Sequence, residues 1–191
     1  MPKSAGRQNV VEPIEFLFNE KKALAATAVL ISDAGGRIPY LRLIKLLYLA
    51  DRLSIEKRGR PIIGGHYVSM DRGLVLSEVL DLIKYQIGEY WPHAIKKEGY
   101  IVCLRNEVDY GSLSKEENDL LLFISNKYKR FDRWQIVRII HDLPEWKDPK
   151  GGSIPVTPEE LLDKIGRTES EIENIREDAA ETAHFDKFFG F

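Results

Sequence analysis

Residue types that carry catalysis or bind metals are present in this sequence, but they are scattered. Its four histidines include no pair at the i, i+4 spacing that places two ligands on one helix face: His66, His93, His141 and His184. The single cysteine, Cys103, lies in a segment with strand character, where we expect an inert core thiol. Neither glycine-rich phosphate-binding motifs nor a GxSxG elbow occurs. The sequence therefore predicts a protein that is not an enzyme and that has no metal and no cofactor.

Asp51 is an acidic residue on an otherwise apolar surface. It lies in the segment 41–56, which is apolar almost all the way round when it is projected as a helix, and such helices lie centrally in a fold. The other polar residues share one narrow stripe on the opposite side: Arg42, Lys45, Arg52 and Glu56. Because an unpaired buried carboxylate is costly, we expect Asp51 to bind Arg60, Arg72 or backbone N–H groups of the following loop. We assign Asp51 and Arg60 a structural role.

The elements around this central helix predict a mainly helical (α+β) fold. Gly59 and Pro61 end the helix, and residues 62–70 carry turn glycines between short apolar runs, which is typical of an extended or hairpin segment. A further helix begins near Ser77. Upstream, apolar residues at helical spacing predict a first helix from Glu12 to Asp33.

The second half of the chain predicts a hairpin and four helices. The segments His93–Lys97 and Tyr100–Leu104 flank a glycine turn, and we expect this β-hairpin to pair with the strand around Tyr67 in a small antiparallel sheet. Lys150–Ser153 indicates a linker. The four helix starts are indicated by capping residues: Ser114 with Glu117, Asp132 with Gln135, Thr157 with Glu160, and Thr168 with Glu171.

Length and composition indicate one soluble globular domain with an appendage. The 191 residues are 43% hydrophobic and 30% charged, and the net charge of −2 gives no whole-protein reason to bind nucleic acid or an anionic membrane. One cysteine, no apolar run of membrane-spanning length and no signal-like start predict a cytoplasmic protein. We expect a disordered segment 1–10, a domain over 11–149, and a linker with a helical extension over 150–191 that packs on the domain or on a partner.

Three stretches of the sequence resemble the Panacea domain of the SocA-like antitoxin family, which also includes phage-associated proteins. Residues 45–51 read KLLYLAD and resemble the opening helix motif of that family. Residues 59–80 resemble its central loop and next helix, although Leu74 stands where the family usually has proline. Residues 141–149 read HDLPEWKDP and resemble the end of the domain. On this resemblance we assign Tyr48 and Trp146 structural roles.

The resemblance implies an antitoxin of a bacterial toxin–antitoxin pair. Such a protein neutralises a cognate protein toxin, encoded by a neighbouring gene, through direct binding. Some members of the family instead act as adaptors that deliver the toxin to a cytoplasmic protease. Our hypothetical contact surface combines the loop 67–73 with the terminal helix and tail: Tyr67, Met70, Arg72, Gly73, Phe185, Phe188, Phe189 and Phe191.

The four phenylalanines within residues 185–191 allow two interpretations. A tail with this many aromatic residues needs something to cover it. It can fold back onto its own core, or it can be an aromatic anchor that enters a groove of a partner.

A basic run near the middle of the chain leaves a second function open. Cations and rings alternate there: Lys127, Tyr128, Lys129, Arg130, Phe131, Arg133, Trp134 and Arg138. This composition could bind nucleic acid in a regulator. We favour the alternative in which the rings pack inward and the cations stay solvated, so nucleic acid is not an expected partner. A phage- or element-encoded interaction protein that is not an antitoxin also stays open, and the identity of the neighbouring gene would discriminate.

Overall fold

The computed structural model describes residues 12–189, apart from the side chains of residues 186, 187 and 189, so the predicted disordered segment 1–10 lies outside the described residues. The prediction of a mainly helical fold with a small antiparallel component is confirmed. In chain order the elements are α1 (Glu20–Asp33), β1 (Arg37–Pro39), α2 (Tyr40–Arg58), β2 (Tyr67–Met70), β3 (Gly73–Leu76), α3 (Ser77–Tyr85), α4 (Trp91–Ala94), β4 (Ile95–Glu98), β5 (Ile101–Leu104), α5 (Lys115–Lys127), α6 (Arg133–His141), β6 (Ser153–Val156), α7 (Pro158–Lys164) and α8 (Glu169–Phe189).

Helix α2 forms the centre of the core, as its apolar circumference predicts. Twelve of its residues are buried, and it packs against α1, α5, α6 and β3. The helix ends at Gly59, which adopts a left-handed conformation with φ of 72° and donates its backbone N–H to the carbonyl of Ile55. This end matches the one that the sequence predicts.

The first helix is eight residues shorter than the sequence predicts, because it begins at Glu20 and not at Glu12. Residues 12–19 are not helical, and buried Ile14 and Phe16 alternate with exposed neighbours there. The backbone of this segment bonds to the loop after α2: Gly65 donates to the Phe16 carbonyl and Asn19 donates to the Ile63 carbonyl. These long-range hydrogen bonds replace helical ones.

Two three-stranded antiparallel sheets flank α2, with strand orders β1-β5-β4 and β3-β2-β6. The β4–β5 hairpin is present, but its predicted pairing with the strand around Tyr67 is wrong. Strand β5 pairs instead with β1, and β2 pairs with β6 on its second edge. Strands β1 and β6 are three and four residues long and contain Pro39 and Pro155, so their sequences carry almost no strand signal.

The C-terminal segments continue the fold beyond the predicted linker. Residues 150–152 form a turn, and Ser153, which the sequence assigns to the linker, begins β6. The capping boxes at Ser114 and Asp132 are both formed, and Thr157 caps α7. No helix within residues 12–189 has the length and apolar character needed to cross a membrane.

Candidate partner-binding surfaces

A buried carboxylate at Asp51 fixes the loop that follows α2. Its Oδ1 accepts hydrogen bonds from the backbone N–H groups of Ile62 (3.0 Å) and Ile63 (2.9 Å). Its Oδ2 accepts from the Gly64 N–H (3.1 Å) and the Tyr67 hydroxyl (3.2 Å). Asp51 is fully buried, and burial raises the pKa of its carboxyl to about 6 although the four hydrogen bonds lower it. We call this arrangement the Asp51 clamp.

Of the donors expected for Asp51, the backbone N–H groups are the ones observed. The Arg60 side chain is exposed and contributes through its backbone, because its carbonyl accepts a hydrogen bond from the Ser54 hydroxyl at 2.7 Å. Arg72 lies elsewhere, over the ring of Trp134. The loop is therefore held mainly through its backbone N–H groups, so its attachment to α2 depends little on which side chains the loop carries.

A second set of buried polar residues lies on α2, and one of them, Lys45, is predicted from the sequence to be exposed. Lys45, predicted on a polar stripe, is fully buried because β3 packs over it, and its Nζ donates to the Leu74 carbonyl at 2.9 Å. Burial lowers the pKa of this lysine to about 7. Farther along α2, the Tyr48 hydroxyl and the Arg52 Nε both donate to the buried carboxylate of Glu145, at 2.8 and 2.6 Å. Burial beside Glu145 raises the pKa of Tyr48 well above its ordinary value.

The segment around Trp146 attaches to β2. The Trp146 indole N–H donates to the Met70 carbonyl at 3.2 Å, and its ring stacks on His141 with centroids 4.2 Å apart. Next to it, the Ser69 hydroxyl donates to the Lys147 carbonyl at 2.6 Å. These contacts place Trp146 at a junction between α6 and β2, where it can serve the structural role that the sequence suggests.

The four loop residues of the hypothetical contact surface differ in accessibility. Tyr67 is 1% exposed and donates to Asp51, and Gly73 is also buried. Met70 is half-buried, whereas Arg72 is exposed. Of these four residues, Arg72 and part of Met70 are accessible to a partner.

The tail residues lie at the far end of α8. Phe185 and Phe188 are 62% and 78% exposed. The side chain of Phe189 and all of Phe191 lie outside the described residues. Earlier in the helix, Ile175 packs against Gly59 so closely that a Cβ on Gly59 would lie 2.9 Å from the Ile175 Cγ1. Helix α8 thus packs on the C-terminal end of α2 before its last turns become exposed.

A groove of about 1350 Å³ lies beside this contact, and we call it the α8 groove. One wall is α8, from Ile175 to Phe185, and the floor is the loop 58–63 that the Asp51 clamp holds. The other walls come from residues 15–19 and 111–117. Ion pairs join three of the groove's lining residues, with Lys22 at 2.7 Å and Arg58 at 3.5 Å from the Glu117 carboxylate.

A smaller cleft of about 260 Å³ lies at the other end of α2, and we call it the aromatic–arginine cleft. It combines rings and guanidinium groups from four parts of the chain: Tyr40, Arg72, Tyr100, Arg133 and Trp134. Because α2 spans 19 residues, the two surfaces are about 27 Å apart along its axis. Arg72 lines this cleft, whereas Phe185 lines the α8 groove.

The rings of the basic run do not all pack inward, contrary to the interpretation that the sequence favours. Tyr128 is buried, but Phe131 and Trp134 are 38% and 46% exposed. The reason is that the α5–α6 turn presents them at the surface beside β1 and the β2–β3 turn, whose positions the sequence does not reveal.

Residues 12–189 contain no group of three or more histidine, cysteine or acidic side chains placed to hold a metal ion. The Cys103 thiol is buried in β5.

Comparison with known proteins identifies a family. The family model for the antitoxin SocA-like, Panacea domain matches residues 43–147, which is more than half of the chain. The matched region runs from α2 to the Trp146 junction and includes the Asp51 clamp. No curated protein and no solved structure matches the chain.

Proposed function

The chain belongs to the SocA-like antitoxin family with a Panacea domain, and from that premise we propose that it neutralises a cognate protein toxin by direct protein–protein binding. The family match over residues 43–147 is the observation that carries this proposal. The family implies a toxin partner in general. The partner of this chain is the product of a neighbouring gene.

The α8 groove is the surface on which we place the toxin contact. It is large enough for a helix or an extended segment of another protein, and its floor is already ordered by the Asp51 clamp. A preordered floor reduces the conformational entropy that binding must remove. The exposed side chains of Leu17 (43%) and Phe185 (62%) provide apolar contact area at its rim.

The groove combines the family domain with segments outside the matched region. Residues 58–63 and 111–117 lie inside the match, whereas residues 15–19 and α8 lie outside it. Differences in those outer walls can change partner choice while the clamp and floor stay constant. Such an arrangement suits a domain that meets different toxins.

Neutralisation then proceeds by occlusion, because a toxin segment held in the groove is withheld from its target. Delivery to a cytoplasmic protease, as some family members do, would use the same contact and add a second one. The two modes differ in toxin abundance, which falls only in the delivery mode. Immunoblotting of the toxin in cells with and without this chain separates them.

Co-expression with the product of the neighbouring gene tests the proposal. We expect growth rescue and co-purification with the full chain. Leu17→Glu places a charge on the groove rim, and removal of the residues after Ala180 deletes part of the wall. Both changes should abolish rescue and co-purification at an unchanged melting temperature. Ile87→Glu is the matched control, since Ile87 is 50% exposed and lies outside the groove.

Two outcomes would count against the proposal at different levels. Intact rescue by both groove variants would show that the toxin does not bind in the α8 groove. Absence of both rescue and complex with the full chain would remove the antitoxin function itself.

A further inference from the structure

The aromatic–arginine cleft is not used by the proposed function, and it presents rings to solvent. Tyr100 is 71% exposed and stacks on Tyr40, with ring centroids 6.2 Å apart and planes 14° from parallel. Trp134, on the neighbouring helix, is 46% exposed. Large aromatic rings gathered at one solvent-accessible position mark a binding surface more often than single scattered ones do.

Cations accompany two of these three rings, Trp134 and Tyr40. The Arg72 and Arg133 guanidinium groups lie 5.8 and 5.4 Å from the centroid of the Trp134 ring. On the other side, the Lys97 ammonium lies 5.5 Å from the centroid of Tyr40. The cleft is therefore built from alternating planar rings and positive charges.

Carboxylates do not pair directly with these cations in the described part of the chain, although the pKa of Asp132 is lowered by hydrogen bonds from the Gln135 and Trp134 N–H groups and also by the charges of Arg138 and Arg133. Among the described side chains, no ion pair forms to Arg72, Lys97 or Arg133. The acidic group close to Arg133 is Asp132, which accepts the backbone N–H groups of Trp134 and Gln135 as the cap of α6. The exposed residues Lys129 and Arg130 extend the positive charge along the α5–α6 turn.

Hydrogen bonds from the first turn of α2 hold the two turns that form the walls of the cleft. Arg42, on the first turn of α2, donates to the backbone carbonyls of Tyr128 and Phe131 and so holds the α5–α6 turn against α2. The Tyr40 backbone N–H donates to the Tyr100 carbonyl at 2.9 Å, which holds the β4–β5 turn in the same way. The rings are exposed on an ordered scaffold.

We propose that the aromatic–arginine cleft binds single-stranded nucleic acid. A base stacks on the exposed ring of Tyr100 or Trp134, and the flanking phosphates meet Arg72, Arg133 and Lys97. The volume of about 260 Å³ suits one nucleotide at a time. A duplex hides the faces of its bases, so the rings select a single strand. An acidic peptide would bind the cations but would make no use of the exposed rings, so the rings favour nucleic acid as the ligand.

Fluorescence anisotropy with labelled oligo(dT) and oligo(U) of about 20 nucleotides tests this inference, since that length exceeds the site of a small strand-binding domain. We expect binding that weakens as salt rises from about 50 to about 200 mM. Tyr100→Ala and Trp134→Ala should each weaken it about 5- to 150-fold, the range for one lost base–ring stack. Arg72→Ala should also reduce the slope of the salt dependence by about 1.

Phe123→Ala is the matched control. Phe123 is 52% exposed and lies beneath the Lys57 ammonium at 5.8 Å, which is the same kind of ring–cation pair outside the cleft. This variant should bind as the unchanged chain does. Because Tyr100 and Trp134 are exposed, their variants should keep the circular dichroism spectrum and the melting temperature, and the two variants check each other.

Further probes separate the competing ligands. An oligo(dT)·oligo(dA) duplex should bind more weakly than the single strand, and so should the mononucleotide dTMP. No binding at about 50 mM salt, equal effects of Phe123→Ala and Tyr100→Ala, or a preference for the duplex would overturn the inference. A polyglutamate peptide serves as the competing ligand. If it displaces the strand, and if its own affinity is unchanged by Tyr100→Ala, the cleft would be assigned to acidic peptides. Tyr100→Ala should keep growth rescue, so failure here and failure of the toxin proposal are distinguishable.

Discussion

Replacement of Asp51 by alanine tests the role of the clamp most directly. The change removes the acceptor for four buried donors, namely the N–H groups of Ile62, Ile63 and Gly64 and the Tyr67 hydroxyl. Each buried donor without an acceptor costs about 1–3 kcal/mol. Against this, a carboxyl whose pKa is raised from 3.8 to about 6 carries a burial cost of about 3 kcal/mol, which alanine removes. Four such donors cost about 4–12 kcal/mol, so we expect a net loss of about 1–9 kcal/mol in the free energy of unfolding.

Urea unfolding at pH 7.5, extrapolated linearly to water, measures this loss, and amide hydrogen exchange at residues 62–64 locates it. Ser54→Ala is the matched control. Ser54 lies on the same helix, is equally buried and holds the same loop through one bond, to the Arg60 carbonyl. It should cost about 1 kcal/mol. An Asp51→Ala variant no less stable than Ser54→Ala, or with unchanged exchange at residues 62–64, would refute the clamp.

Two further perturbations test the burial and backbone geometry described above. Lys45→Met should raise the free energy of unfolding at pH 7 by about 2–3 kcal/mol. The reason is that burial of the ammonium, which lowers its pKa to about 7, destabilises the fold by more than the hydrogen bond to the Leu74 carbonyl stabilises it. In the unchanged chain the unfolded lysine binds a proton below about pH 10 and the folded one does not until about pH 7, so stability should rise with pH across that window. Unfolding titrations of both proteins should show that this rise disappears in the variant. Gly64→Ala should cost at least about 3 kcal/mol, since its Cβ would contact the Leu17 carbonyl oxygen, whereas Gly35→Ala, also at positive φ but with open space around it, should cost about 1 kcal/mol in the same assay.

Features that depend on one segment could be predicted from the sequence. The helical projection of α2 places Asp51 on an apolar face, and the structure buries it completely. Glycine at position 59 and the capping boxes at Ser114 and Asp132 mark ends that the structure reproduces. In each case the physical cause lies within a few residues of the signal.

Features that depend on distant segments could not be predicted. The projection that finds Asp51 also places Lys45 on a solvated stripe, because it cannot show that β3 covers that position and supplies the Leu74 carbonyl. The first helix is predicted too long because the backbone before Glu20 forms hydrogen bonds with the loop 63–65, and these replace the hydrogen bonds of a helix. A signal was nevertheless present there, in the alternation of Ile14 and Phe16 with polar or exposed neighbours before the capping residue Asn19.

The antiparallel pairing of β2 with β6 affects where the chain can be shortened. The family match ends at residue 147, but β6 (Ser153–Val156) occupies the outer edge of β2. A version of the chain cut at residue 147 would leave that row of backbone amides and carbonyls open, and an open strand edge invites pairing between molecules. Shortened versions meant to stay monodisperse should therefore extend at least through Val156. Self-association of a version ending at residue 147, alongside monomers of the full chain, would be the visible sign of that open edge.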